Sequence, residues 1–153
     1  MATTTKQHAL IELLARNETV LSQLYRTYAK RFPAQEAFWN RLTEDELRHA
    51  DWVHALGLQA AEGAVAFKSR RYTEKTLRGF IAYIKELIPR AEYHTLVQCL
   101  SLALDIEKAL IEKKFFVVFA GDSPAFARLL KRLAAATGKH IEAVRKMWEK
   151  HRL

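Results

Sequence analysis

The chain has 153 residues, half of them apolar, with only 5 glycines, 3 prolines and one cysteine. That composition excludes a disordered chain and a turn-rich all-β fold, and it supplies one domain over residues 1–153 with enough apolar surface for a core. The lone Cys99 excludes an internal disulfide framework and a cysteine-rich metal module.

The net charge of +8 favours acidic partners. Its lysines and arginines, however, are interleaved with apolar residues as on solvated helix faces. The tightest cluster, Lys68-Ser69-Arg70-Arg71, has no aromatic-and-basic motif beside it. The charge therefore reads as a wet surface rather than a nucleic-acid site. No apolar run reaches the ~20 residues that span a bilayer, so no membrane partner is expected. The stretch Met1–Lys6 lacks the apolar segment of a signal peptide. A reducing cytoplasm is the expected setting.

The first predicted helix covers about 6–32. Ile11, Leu14, Glu18, Leu21, Tyr25 and Tyr28 recur every three or four residues and share one face. Glu18 sits mid-face, where an unpartnered carboxylate would be costly to bury. Pro33 ends this helix. The second covers about 35–56, with Trp39, Leu42, Glu46, His49, Val53 and Leu56 inward and Gly57 as its stop. A short link between long helices predicts an antiparallel hairpin.

A long connection follows, carrying a short amphipathic helix over about 74–88. Thr73 is its expected N-cap, and Leu77, Phe80, Ile81, Ile84 and Leu87 form its apolar face. The next helix is expected over about 90–119, entered through Pro89, with Leu96, Leu100, Ala103, Glu107, Ile111 and Phe115 inward. The last covers about 124–148, from Ser123-Pro124, with Leu130, Leu133, Thr137, His140, Ile141, Val144 and Trp148 inward. Gly138 inside it costs up to ~1 kcal/mol relative to alanine.

The two hairpins repeat one chemical pattern. Each has a glutamate at the centre of its first helix (Glu18, Glu107) and a histidine at the centre of its second (His49, His140). Glu46-Leu47-Arg48-His49 places a carboxylate and an imidazole three residues apart on one helix face. Thr137-Gly138-Lys139-His140 is the corresponding stretch of the second hairpin. Three carboxylates and two imidazoles on four helix faces point to a metal site inside a bundle.

With these residues the chain resembles the ferritin-like superfamily, closest in layout to the rubrerythrin-like four-helix proteins. The resemblance implies an all-α ferritin-like four-helix bundle, two antiparallel hairpins joined by a long crossover with a short extra helix. It also implies a metal centre. Glu18 and Glu107 match the terminal carboxylates, Glu46 a bridging carboxylate, and His49 and His140 the imidazoles. Tyr25 resembles the tyrosine found beside such centres.

Iron, one or two ions, is the metal the resemblance implies, and manganese or zinc also suits oxygen and imidazole donors. The implied chemistry is oxidation of ferrous iron, or reaction with dioxygen or peroxide as a non-haem oxidoreductase, with an external reductant. The sequence departs from the family pattern at Thr137, where a second bridging glutamate is expected. Three carboxylates then face the four charges of two divalent cations.

The alternative is a degenerate ferritin-like scaffold, with the Glu and His side chains forming a metal-free polar cluster. Phe115–Phe119 is apolar all round and fits either a buried helix end or a homodimer interface. His8, His54, His94 and His151 read as surface residues, and Cys99 as a packed hydrophobe.

Overall fold

A computed structural model describes residues 2–61, 70–112 and 124–152. Among the described residues the fold is all-helical, with five α-helices and no strand. The expected contributions of Lys68, Ser69, Phe115–Phe119 and Ser123 fall outside the described residues.

Pro33 decides where the first hairpin turns. Helix α1 spans Ala2–Arg31 and α2 spans Glu36–Ala61, joined by a 3-10 turn over Pro33–Gln35. Proline has no N–H to offer a continuing helix. Instead Phe32 N–H donates to Tyr28 O and Gln35 N–H to Phe32 O, both at 2.9 Å, and the chain reverses. Partners then run in opposite senses along the two helices. Tyr28 and Tyr25 pack on Trp39, with ring centroids 4.9 and 5.6 Å apart, Glu18 faces His49, and Glu12 faces His54. This is the antiparallel hairpin expected.

Every residue of the α1 stripe is buried, from Ile11 to Tyr28, and so are Leu13, Asn17, Val20 and Leu24 on its flanks. The stripe is wide because two helices cover it. Helix α2 packs on one side and α3, Arg70–Arg90, on the other. Leu77, Ile81, Ile84 and Leu87 of α3, one helical face, join the same apolar cluster as the α1 and α2 residues. Full burial of such a side chain contributes ~1.5–3 kcal/mol. Helix α3 is thus a wall of the core.

Helix ends depart from the sequence expectation. Helix α2 runs through Gly57 to Ala61, so this glycine is not a stop. Helix α3 begins at Arg70, which leaves Thr73 inside it instead of capping it. Pro89 lies in the last turn of α3, and a 3-10 turn over Ala91–Tyr93 follows.

Helix α4 therefore starts at Leu96, not near Arg90, and is described to Glu112. Its start is fixed by a reciprocal cap. Gln98 N–H donates to Thr95 Oγ1 at 3.2 Å, and Thr95 N–H donates to Gln98 Oε1 at 2.9 Å. Helix α5, Pro124–His151, packs on α4 and continues unbroken through Gly138. His94 is half-buried rather than on the surface. Cys99 is fully buried, and burial pushes its thiol up to about 11.

Candidate metal centre

Four helices each send acidic or imidazole side chains to one buried point. Glu18 comes from α1, Glu46 and His49 from α2, Glu107 from α4 and His140 from α5. All five are at most 5% exposed. The periodicity explains the convergence. Each polar residue interrupts an apolar stripe, and burying the stripe carries the polar residue inside with it.

Glu46 is the hub. Its Oε2 lies 3.2 Å from His49 Nδ1, and its Oε1 lies 2.8 Å from His140 Nδ1. The second approach is short but off the hydrogen-bond line, so Oε1 has no bonding partner. His49 Nδ1 is 3.9 Å from Glu18 Oε2, and His140 Nδ1 is 3.3 Å from Glu107 Oε1. The two imidazoles stack, with centroids 5.3 Å apart and planes inclined by 27°. One donor atom each from Glu46, His49 and His140 lies within 4.8 Å of the others, a spacing that can enclose a single ion.

Two further side chains set the geometry. Tyr25 O–H donates to Glu107 Oε1 at 2.7 Å, so the tyrosine serves the carboxylate of α4 and not Glu18 of its own helix. Asp45, which the helical stripe places off the inward face, holds His140 from the far side with Oδ2 3.0 Å from Nε2. A proton on Nε2 leaves Nδ1 aimed inward at Glu46 and Glu107, as metal-binding histidines are oriented by outer carboxylates. Arg48 in turn bonds the other oxygen of Asp45. The only sequence signal for Asp45 was its place beside Glu46.

Electrostatics leaves the acids unequal. Burial, then the neighbouring Glu46 charge, raises Glu18 well above the usual carboxylate range. Burial and Glu46 likewise raise Glu107 to about 7, against the opposing pull of His140. Burial also acts to raise Glu46, but its close neighbours Glu18, His140 and His49 outweigh it and lower this carboxyl. Burial would lower His140, yet its contacts with Glu107 and Glu46 raise it to about 11. Glu46 is thus the one acid of the three whose carboxyl is held low, while Glu18 and Glu107 are raised.

Among the described residues four buried carboxylate oxygens lack a hydrogen-bond partner: both of Glu18, Glu46 Oε1 and Glu107 Oε2. Buried polar atoms are ordinarily satisfied, and an ionised one left bare is expensive. Oxygen donors with two inward imidazole nitrogens form a donor set whose chemistry suits a divalent cation.

Thr137 is buried at the same level, but its hydroxyl donates to Leu133 O of its own helix at 2.9 Å. Glu142 is exposed and faces Arg145, away from the cluster. The chain matches no protein-family model, no curated protein and no solved structure.

Proposed function

We propose that this is a ferritin-like, rubrerythrin-like helical protein that binds non-haem iron, as one or two ions, through Glu18, Glu46, His49, Glu107 and His140. The observation that carries the reading is the set of four unpartnered carboxylate oxygens gathered around two inward Nδ1 atoms. Manganese or zinc would suit the same donors.

In this reading Glu46 is the shared carboxylate, since its two oxygens already face different histidines. Glu18 serves the His49 side and Glu107 the His140 side. Tyr25 steadies Glu107, and Asp45 fixes the tautomer of His140. Bound iron would supply redox chemistry toward dioxygen or peroxide, with an external reductant restoring the ferrous state. Leu14, Leu21, Ile106 and Leu133, on three of the helices that carry the cluster, belong to the buried apolar core.

The contacts at 2.8–3.3 Å between imidazole and carboxylate favour a second reading, a metal-free polar core on the same fold. Anaerobic Fe²⁺ titration by calorimetry, with melting curves before and after chelation, separates the two. Metal binding predicts saturable heat and a melting temperature that chelation lowers. No heat and a chelator-insensitive melt would leave the polar core.

A further inference from the structure

A cavity of about 510 Å³ opens on the outer side of the two histidines, between α2 and α5. That volume lies in the range of small-molecule sites. His49 and His140 form part of its wall, so it adjoins the buried cluster directly. Its remaining polar lining is mainly basic: Arg41, Arg48, Arg132 and Lys139, against Glu44 and Asp45.

Pairing inside the cavity sharpens the imbalance. Arg48 is bonded to Asp45, whose other oxygen is engaged by His140, so this pair is internally neutralised. Arg41, Arg132 and Lys139 are exposed, and among the described residues none of them is in an ion pair. Three cations then face the single carboxylate of Glu44. Arg132 is also held in place, with its guanidinium 4.3 Å from the ring centre of Trp52. Trp52 lines the same cavity and stacks near His49, at 5.2 Å between centroids. A guanidinium stacked on an aromatic face keeps its N–H edge free for a planar or tetrahedral oxyanion.

We infer that this cavity is a binding site for a small oxyanion-bearing molecule, a carboxylate or a phosphate. Arg132, Arg41 and Lys139 hold the anion beside the His49–His140 wall. The inference deepens the metal-site reading by naming a substrate class for the same centre. The cations can be tested without metal, because none of the three is in the buried cluster.

The test uses the full chain, stripped of metal, and titrates it with inorganic phosphate, acetate and succinate at low salt by calorimetry. Arg132→Gln and Lys139→Gln, singly and together, are compared with Lys85→Gln, an exposed lysine on α3 away from the cavity. Each removed cation is expected to weaken binding about tenfold, the scale of one charge-assisted hydrogen bond. Lys85→Gln is expected to leave it unchanged.

Preference for phosphate over the two carboxylates, or the reverse, identifies the kind of oxyanion. Equal affinity in the wild type and the double variant, or no binding of any of the three anions, overturns the inference. Zinc stoichiometry measured on the same variants separates the two claims. Lost anion binding with zinc uptake intact supports the cavity assignment. Anion binding that depends on the cations, in a chain that takes up neither zinc nor ferrous iron, refutes the metal reading and leaves the oxyanion site standing.

Discussion

Replacing Glu18 by glutamine separates a metal ligand from a structural acid. Glu18 is buried with neither oxygen in a hydrogen bond, and burial together with the Glu46 charge raises its carboxyl well above the usual range in the metal-free protein. Glutamine has the same shape and, like the protonated acid, no charge. The metal-free variant should therefore be within ~1 kcal/mol of the wild type, as for a swap that neither leaves a cavity nor strands a charge.

Metal binding should respond differently. An ion present at a hundred times its Kd stabilises the fold by ~2.7 kcal/mol. In a domain of this size that is a rise of about 5–11 °C in melting temperature. A hundredfold loss of affinity at the same concentration brings the ion to its Kd and leaves only ~0.4 kcal/mol, about 1–2 °C. The assay is a thermal melt of both proteins with chelator and with Mn²⁺ or Zn²⁺. A metal-free variant destabilised by several kcal/mol would mean that Glu18 is an ionised, paired group, and the reasoning would fail. It would fail equally if the variant kept the full metal shift.

Glu46→Gln should behave in the opposite way, because Glu46 carries its charge between two imidazoles. Breaking this buried arrangement should cost the metal-free protein ~3–5 kcal/mol in urea unfolding, and a loss below ~1 kcal/mol would contradict its place as hub. Acidity gives a further expectation between pH 6 and 8. His140 is raised to about 11 from 6.5, so its contribution is complete below pH 6.5 and is lost as pH rises towards 11. Glu107, raised to about 7 from 4.5, costs stability as pH climbs from 4.5 through 7.

The melting temperature of the metal-free protein should therefore fall from pH 6 to 8. The shift produced by metal should grow over the same window, because protons on Glu18, Glu107 and His140 compete with the ion. A metal shift that is equal at both pH values would count against this competition. Finally, a Cβ at Gly138 meets no atom within 4 Å. Gly138→Ala should raise stability by up to ~1 kcal/mol in chemical denaturation, and destabilisation would refute the reading of an open helical position.

The inward faces were legible because helical periodicity is local. Counting threes and fours placed Glu18, Glu46, His49, Glu107, Thr137 and His140 inside, and all six are buried. Helix ends were less legible, because a terminus is a contest between local breakers and distant packing. Gly57 yields to the continuation of α2, and Pro89 is accommodated in the last turn of α3. Thr95 with Gln98 is a cap signature three residues apart, masked by the expectation that the helix begins at Pro89.

The connections around the site could not be read from one stripe at a time. Tyr25 bonds Glu107, 82 residues away, and Asp45 bonds His140, 95 residues away. Both depend on which helix faces which, and periodicity carries no such information. The same holds for α3. Its amphipathic face was visible, but its packing on α1 was not.

The most direct measurement is anomalous diffraction at the iron edge, on crystals of protein purified without chelators and reconstituted with ferrous iron. The account predicts a peak bounded by Glu46, His49 and His140, with Glu18 or Glu107 completing the ligands. Protein that retains less than about a tenth of an iron per chain, with no peak at these five residues, would contradict it.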